Sequence, residues 1–397
     1  MTASAQLRAV GRMLSRPSHA ALVVKDLLGV RQPRRSDREH LEGAIAWLCR
    51  AQDAAGGGVS AAYHIPDGGW LPPYPETTGY IISTFLRYAR LAGDGAIRDR
   101  AVRMGDWEID IQLASGAVRG GIGINDYPDI FNTGQVIDGW CTLFRETGDS
   151  RFLSAGVRAG RWLTEAQAAD GAWSAYSYRD MAHTYHARVA WPLLELAQLA
   201  GDEKMHEAGR RNIQWILGHA APNGWIEHMA FRTGERPLTH TIGYTLEGLL
   251  GAAPLVGAEL GRQATALVRT AAEHLLLAYE RGRGVADKDP LPLPATFDRS
   301  WGSPDRVSCM TGNAQLAIVW LRLYDLDGDA RYLNAALKIL DQVAATQCLT
   351  SSNPGIRGAI PGSLPCWGTY FPLAFPNWAT KFFADALMRR MVVLRSA

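Results

Sequence analysis

A phrase that recurs along this chain constrains its fold more than any other feature. Thr78-Gly79-Tyr80 opens an apolar stretch that closes on Gly93-Asp94, and Thr133-Gly134-Gln135 opens one that closes on Gly148-Asp149. The stretch from His186 closes on Gly201-Asp202, and Gly243-Tyr244 leads to Gly257-Ala258. Thr311-Gly312-Asn313 leads to Gly328-Asp329, and a weaker sixth copy starts at Asn377-Trp378. In the first four copies a small residue (Gly79, Gly134, Ala187 or Gly243) stands 14 positions before the closing glycine. Self-similarity at a fixed period marks a repeat architecture. Small residues at one repeated level imply backbones that approach closely there.

A second phrase interleaves with the first. Trp47 is followed five residues on by Gln52, Trp107 by Gln112 and Trp162 by Gln167, each with glycine soon after. Both phrases carry apolar residues at i, i+3, i+4 and i+7, as in Ile81, Phe85, Tyr88 and Ala89, which is helical spacing. Strand signals are nearly absent. The pattern predicts A helices over 37–53, 97–114, 151–168, 203–219, 258–281 and 330–347. It predicts B helices over 77–91, 131–146, 183–199, 239–254, 309–325 and 376–393. Six helical hairpins imply an all-α fold, an (α/α)6 barrel or toroid over residues 37–397. Residues 1–36 read as an extra N-terminal helix and a basic linker. The B helices, with their small residues, are expected inside, and the A helices, with interspersed Arg and Glu, outside.

Composition narrows the function classes. The chain has 397 residues, with 41 Lys and Arg against 39 Asp and Glu, a balance that offers nothing to nucleic acid. Five scattered cysteines, without a CxxC pair, build neither a disulfide framework nor a zinc cluster, so no metal or cofactor is expected. No signal peptide and no membrane span are read, and a cytoplasmic location is expected. The 13 Trp, generous for this length, divide between repeated helix positions and loops.

The B-to-A connections are short and the A-to-B connections long, which puts the chemistry in the long loops. Trp70, Trp173, Trp225, Trp301 and Trp367 fall there, with many of the Tyr and His and with carboxylates that include Asp287 and Asp289. Aromatic faces flanked by hydrogen-bonding groups suit a sugar, whose C–H faces stack while its hydroxyls need partners. The candidate catalytic residues are Glu76, Asp129, Asp180, His183, Tyr185, His186, Glu227 and His240. The candidate substrate-binding residues are Tyr74, Tyr80, Tyr127, Trp173, Tyr178, Trp225, His228, Tyr244, Asp298, Arg299, Trp301 and Trp367. Glu76 and Asp129 stand at helix starts, where an acid also serves as a cap. Arg299 has two uses, pairing with Asp298 or holding a substrate carboxylate.

The span from about 37 to 393 resembles the six-hairpin glycosidase-like superfamily of glycoside hydrolases, polysaccharide lyases and sugar epimerases. Thr78-Gly79-Tyr80, Arg119-Gly120-Gly121, Phe131-Asn132-Thr133-Gly134-Gln135 and Asp170-Gly171-Ala172-Trp173 carry the resemblance. It looks most like members from bacterial exopolysaccharide biosynthesis clusters. The resemblance implies a carbohydrate substrate and leaves three readings. Hydrolysis needs two carboxylates across a cleft. Proton abstraction beside a uronate, by an epimerase or lyase, needs a Tyr/His pair. The Trp and Gln slots also look like the repeats of terpenoid cyclases, which would place an apolar ligand in the ring. Their aspartate motif is missing here, the nearest string being Glu108-Ile109-Asp110.

Overall fold

The computed structural model describes residues 16–282 and 292–396. Thirteen α-helices lie among the described residues. They are α1 (Pro17–Leu27), α2 (Asp37–Asp53), α3 (Pro75–Ala92), α4 (Gly95–Asp110), α5 (Ile130–Thr147), α6 (Ser150–Ala166) and α7 (Ala187–Ala200). There follow α8 (Glu203–Gly218), α9 (Thr239–Ala252), α10 (Ala258–Gly282), α11 (Met310–Asp327), α12 (Ala330–Ala344) and α13 (Asn377–Ser396). The helix expected over 183–199 begins instead as a short 3-10 turn, Thr184–His186.

The recurring Gly-Asp phrase has a local cause. Gly93, Gly148, Gly201 and Gly328 take the left-handed conformation that ends one helix. The following Asp94, Asp149, Asp202 and Asp329 accept from backbone N–H groups and start the next. Two residues thus turn one helix into another without a linker. Gln112 and Gln167 have an equally local role. Gln112 donates to Gly116 O at 2.7 Å and to Ala155 O at 3.1 Å on the next A helix. Gln167 repeats this with Gly171 O at 3.0 Å and Ala208 O at 2.8 Å.

The chain forms two compact units. One comprises residues 73–281 and 297–303 and contains α3 to α10. Here α3, α5, α7 and α9 pack in succession, and the small residues sit where the sequence required them. A Cβ on Gly79 would come within 2.6 Å of Val136 Cα, and one on Gly134 within 2.8 Å of Val189 Cα. Every residue of α9 is buried, whereas α6 buries one stripe, from Phe152 through Leu163. Pro192 inside α7 removes an N–H, so the Arg188 carbonyl loses its helical donor, and Gln135 Nε2 donates to it at 3.0 Å instead.

The other unit comprises 1–72, 282–296 and 304–397. It holds α1, α2 and α11 to α13 with five short strands, β1 (Ala62–His64), β2 (Gly69–Trp70), β3 (Ser308–Cys309), β4 (Ser363–Leu364) and β5 (Ala374–Pro376). Strand β1 lies between β2 and β5, with Tyr63 paired to Trp70 and to Phe375, and β3 pairs with β4, all antiparallel. Tyr63 and Trp47 pack against Trp70, and Lys381 and Asp385 form a buried ion pair at 2.8 Å.

Candidate active site

Two carboxylates stand at the first turns of neighbouring helices. Pro75 opens α3 because its fixed φ suits the first helical position, and Glu76 follows it. The Thr77 and Thr78 hydroxyls donate to Tyr74 O at 3.2 and 2.9 Å, which pins the segment. The Tyr74 phenol donates to Glu76 Oε2, and the Tyr244 phenol donates to Glu76 Oε1 at 3.4 Å and accepts from the Tyr80 hydroxyl at 3.5 Å. Glu76 therefore sits among three phenols. Asp129 caps α5, its Oδ1 accepting from Asn132 N at 2.9 Å. Its own carbonyl accepts from the Thr133 hydroxyl at 2.6 Å, and that hydroxyl accepts from Val118 N at 3.0 Å.

Both side chains keep some accessible surface while lying deep among protein atoms, as groups at the floor of an opening do. Desolvation raises the Glu76 carboxyl to about 7, against the pull of its phenol hydrogen bonds, with Asp129 adding repulsion and Arg188 opposing it. Desolvation raises Asp129 to about 6, against the pull of the Asn132 and Phe131 amides. The helix N-terminus and those amides favour ionised Asp129. Two carboxyl groups with different proton affinities are what acid and base assignments require.

Aromatic rings fill the space around them. Phe131 meets Tyr244 at 4.9 Å and Tyr185 at 5.4 Å between centroids. Tyr185 stacks on His183 at 4.5 Å, and His240 lies tilted on Tyr244 at 4.3 Å. His183 has Ala230 O 3.1 Å from Nδ1 and Tyr178 O 3.0 Å from Nε2. A neutral imidazole donates to only one of them, and desolvation still lowers the His183 pKa. His186 is buried beside Ser177 Oγ at 3.2 Å, and burial pushes its pKa far down, so it is a neutral ring. Tyr74, Tyr80, Tyr185 and Tyr244 are held in the phenol form by burial.

Other candidates lie elsewhere in this unit. Tyr127, Tyr178 and Asp180 are exposed, and the Asp180 carboxylate accepts from Tyr176 N at 3.3 Å. Glu227 pairs with Arg299 at 2.9 Å. Asp298, the partner expected for Arg299, folds back on Ser300 N and Gly302 N at 2.9 and 3.0 Å and closes its own turn. Trp225 and Trp301 are buried against each other at 5.3 Å, and Trp301 donates to Asn223 O at 3.0 Å. His228 takes a left-handed φ of 61° and packs on Trp215 and His219. Trp173 is fully buried, its indole N–H on Leu163 O at 2.9 Å, so it packs the helices together. Trp367 belongs to the other unit, where it is 40% exposed. Asp287 and Asp289 lie outside the described residues.

Sequence reasoning passed over Arg188, Glu247 and Phe131. Arg188 and Glu247 are buried and face each other at 3.6 Å, with the guanidinium 5.0 Å above the Trp191 ring. The signal was available, because a charge inside a B helix that is otherwise apolar needs a partner. No group of three or more His, Cys, Asp or Glu among the described residues is arranged to hold a metal ion. No helix among them is long and apolar enough to cross a membrane.

No family model matches the chain, and no curated protein matches it. Solved structures do. An unsaturated glucuronyl hydrolase from Bacillus sp. GL1, responsible for the degradation of glycosaminoglycan, matches with a TM-score of 0.68 at 14% identity, over 89% of this chain and 96% of that one. A sugar epimerase from a ruminal bacterium matches at 0.68 and 13% identity, over 91% and 98%. A polysaccharide lyase matches at 0.63 and 11% identity, over 91% and 99%. The chain has the fold of these enzymes, the (α/α)6 toroid of six helical hairpins that its repeats announce.

Proposed function

We propose that this protein is a carbohydrate-active enzyme that hydrolyses a glycosidic bond in an oligo- or polysaccharide, with Glu76 as general acid and Asp129 as its partner carboxylate. The observation that carries this reading is a pair of carboxyls at the starts of neighbouring helices, hydrogen-bonded only by neutral donors and raised by desolvation to about 7 and about 6. Near pH 6.5 the acid is largely protonated and the partner largely ionised. Glu76 gives its proton to the glycosidic oxygen as the bond from C1 to that oxygen breaks. A water attacks C1 and loses a proton to Asp129, so one water is consumed and two hydroxyl ends result. Tyr74 and Tyr244 hold the Glu76 carboxyl in place and stabilise its charge after transfer. Hydrolase, epimerase and lyase relatives by fold support a sugar substrate.

The test is the pH profile of kcat/KM on a ladder of oligosaccharides. The expected shape is a bell, with activity rising through about 6 as Asp129 ionises and falling through about 7 as Glu76 loses its proton. Loss of the alkaline limb in Glu76→Gln, with little residual rate, is expected. A flat profile between pH 5 and 8, bounds set around the two carboxyl values, would remove the assignment. The anomer released first, read by NMR, separates base action of Asp129 on water from direct attack on C1.

A second reading has its own observation. His240 lies on Tyr244, whose hydroxyl reaches Glu76, and such a Tyr/His pair serves an epimerase or lyase acting beside a carbonyl or carboxylate. Solvent deuterium entering the sugar carbon would mark it. We place the protein in the reducing cytoplasm, its five scattered cysteines offering no CxxC pair, and in polysaccharide modification beside a biosynthetic pathway.

A further inference from the structure

An unbroken run of rings leads from the protein surface to Glu76. Tyr178, 45% exposed, meets Phe231 edge-on at 5.6 Å, and Phe231 meets Tyr185 at 5.8 Å. Tyr185 meets Phe131 at 5.4 Å, Phe131 meets Tyr244 at 4.9 Å, and the Tyr244 hydroxyl donates to Glu76. These five rings make a packed wall, almost wholly buried at Tyr185 and Tyr244 and open to solvent at Tyr178.

The outer end of that wall is held in place at a conformational cost. Tyr176, Arg179 and Asp180 all have positive φ, at 60°, 64° and 49°. Non-glycine residues rarely adopt this region and persist there where the surroundings impose it. The surroundings here are the catalytic elements. Tyr176 O accepts from Ile130 N at 3.0 Å, the residue after Asp129, and Tyr178 O lies 3.0 Å from His183 Nε2, whose ring stacks on Tyr185. The segment that carries this exposed tyrosine is thus tied through the Tyr176 carbonyl to the helix of the partner carboxylate and through the Tyr178 carbonyl to the aromatic wall. Groups that suit sugar hydroxyls flank it. The Arg179 guanidinium lies 5.6 Å over the Tyr178 ring, and the Arg232 side chain hydrogen-bonds the Tyr178 side chain.

We infer that Tyr178 and Phe231 form an outer sugar subsite, on which the pyranose next to the scissile linkage stacks, so that the substrate is an oligosaccharide of at least two rings. This rests on the carbohydrate reading of the Glu76 and Asp129 site. The exposed ring is packed and hydrogen-bonded to the elements that carry Glu76 and Asp129, so the occupant it suits is the sugar chain of that site.

The test uses the full-length Glu76→Gln protein, which binds without turnover, and measures affinity by calorimetry. The probes are gluco-oligosaccharides of one to four rings, and a disaccharide and tetrasaccharide from hyaluronan. Affinity is expected to rise with the second ring in at least one series. Adding Tyr178→Ala is expected to weaken the longer probes about tenfold, the usual scale for truncating an interface aromatic. The one-ring probe should be unaffected, and Tyr178→Phe should restore most of the loss by keeping the ring face. Because Tyr178 is exposed, the alanine variant should melt like its parent. Equal weakening of all probes, or none, overturns the subsite and leaves the carbohydrate reading standing. Failure of the Glu76→Gln parent to bind any probe overturns both.

Discussion

Two levels of the same helices handle buried charge in opposite ways. At the first turns of α3 and α5, Glu76 and Asp129 are desolvated and answered only by neutral donors, phenols for one and backbone amides for the other. Deeper in the unit, Arg188 on α7 faces Glu247 on α9, and the Ser83 hydroxyl donates to Asp138 Oδ2 at 3.0 Å. At the deeper level Arg188 and Glu247 match charge with charge, which holds α7 and α9 in register. At the upper level Arg188 is the least of the influences on Glu76 and desolvation dominates, so the proton is mobile near neutrality. The difference shows why burial by itself does not mark a catalytic group: Glu76 and Asp129 combine desolvation with partial access to solvent and with neutral hydrogen-bond donors.

The comparison breaks first at Glu76. Glu76→Gln should lower the hydrolytic rate by about 10³-fold, the scale of losing a general acid, with the melting temperature near that of the wild type. An active, normally folded variant would make the upper level structural. The second effect belongs to the deeper level. Arg188→Met should cost about 3–5 kcal/mol in urea unfolding, since Glu247 is left charged and buried. Arg188→Met with Glu247→Leu should recover most of that loss. Recovery by the double change separates a registry pair from a catalytic cation, which would leave kcat low in both variants.

A smaller effect is read in pH. The Glu76 carboxyl rises from an ordinary 4.5 to about 7 on folding, so between those values the folded state holds a proton that the unfolded state has lost. Stability should fall as pH rises through that window, and Glu76→Gln should remove the fall. The gain at pH 8, above the carboxyl's folded value of about 7, should be on the order of 2 kcal/mol, allowing for its partial solvent access. Glu108 on α4 is a comparison within the same unit. Burial alone raises it, neither oxygen has a hydrogen-bond partner, and Glu108→Gln should shift stability in the same direction without touching activity. The smallest effect is at Asp129. Asp129→Asn keeps the cap, while Asp129→Ala should lose a further ~1 kcal/mol of stability. Equal melting of the two would mean that Asn132 N does not depend on that side chain.

The helices and their ends were legible because their causes are local. Asp94, Asp149 and Asp202 cap helices whose predecessors end on Gly93, Gly148 and Gly201, each motif confined to a few residues. Glu76 and Asp129 were legible as candidates for a similar reason, since an acid before a helix that is otherwise apolar stands out. Trp173, Trp225 and Trp301 were not separable from sugar-binding residues in the sequence, because a loop tryptophan that caps a core and one that meets a ligand look alike. Arg188 was overlooked because a lone arginine in a helix ordinarily reaches solvent, and here Glu247 and Trp191 hold it inside.

The sequence by itself determined the six-hairpin repeat and the short and long connections. Periodicity, caps and small residues act through neighbours within a turn or a single helix contact. Only the tertiary structure decided which acids have a raised proton affinity. The Tyr244 hydroxyl that meets Glu76 comes from 168 positions away, and Arg188 and Glu247 meet across two helices. A carboxyl group's proton affinity is set by everything that displaces water from it, and that assembly exists only once the helices pack.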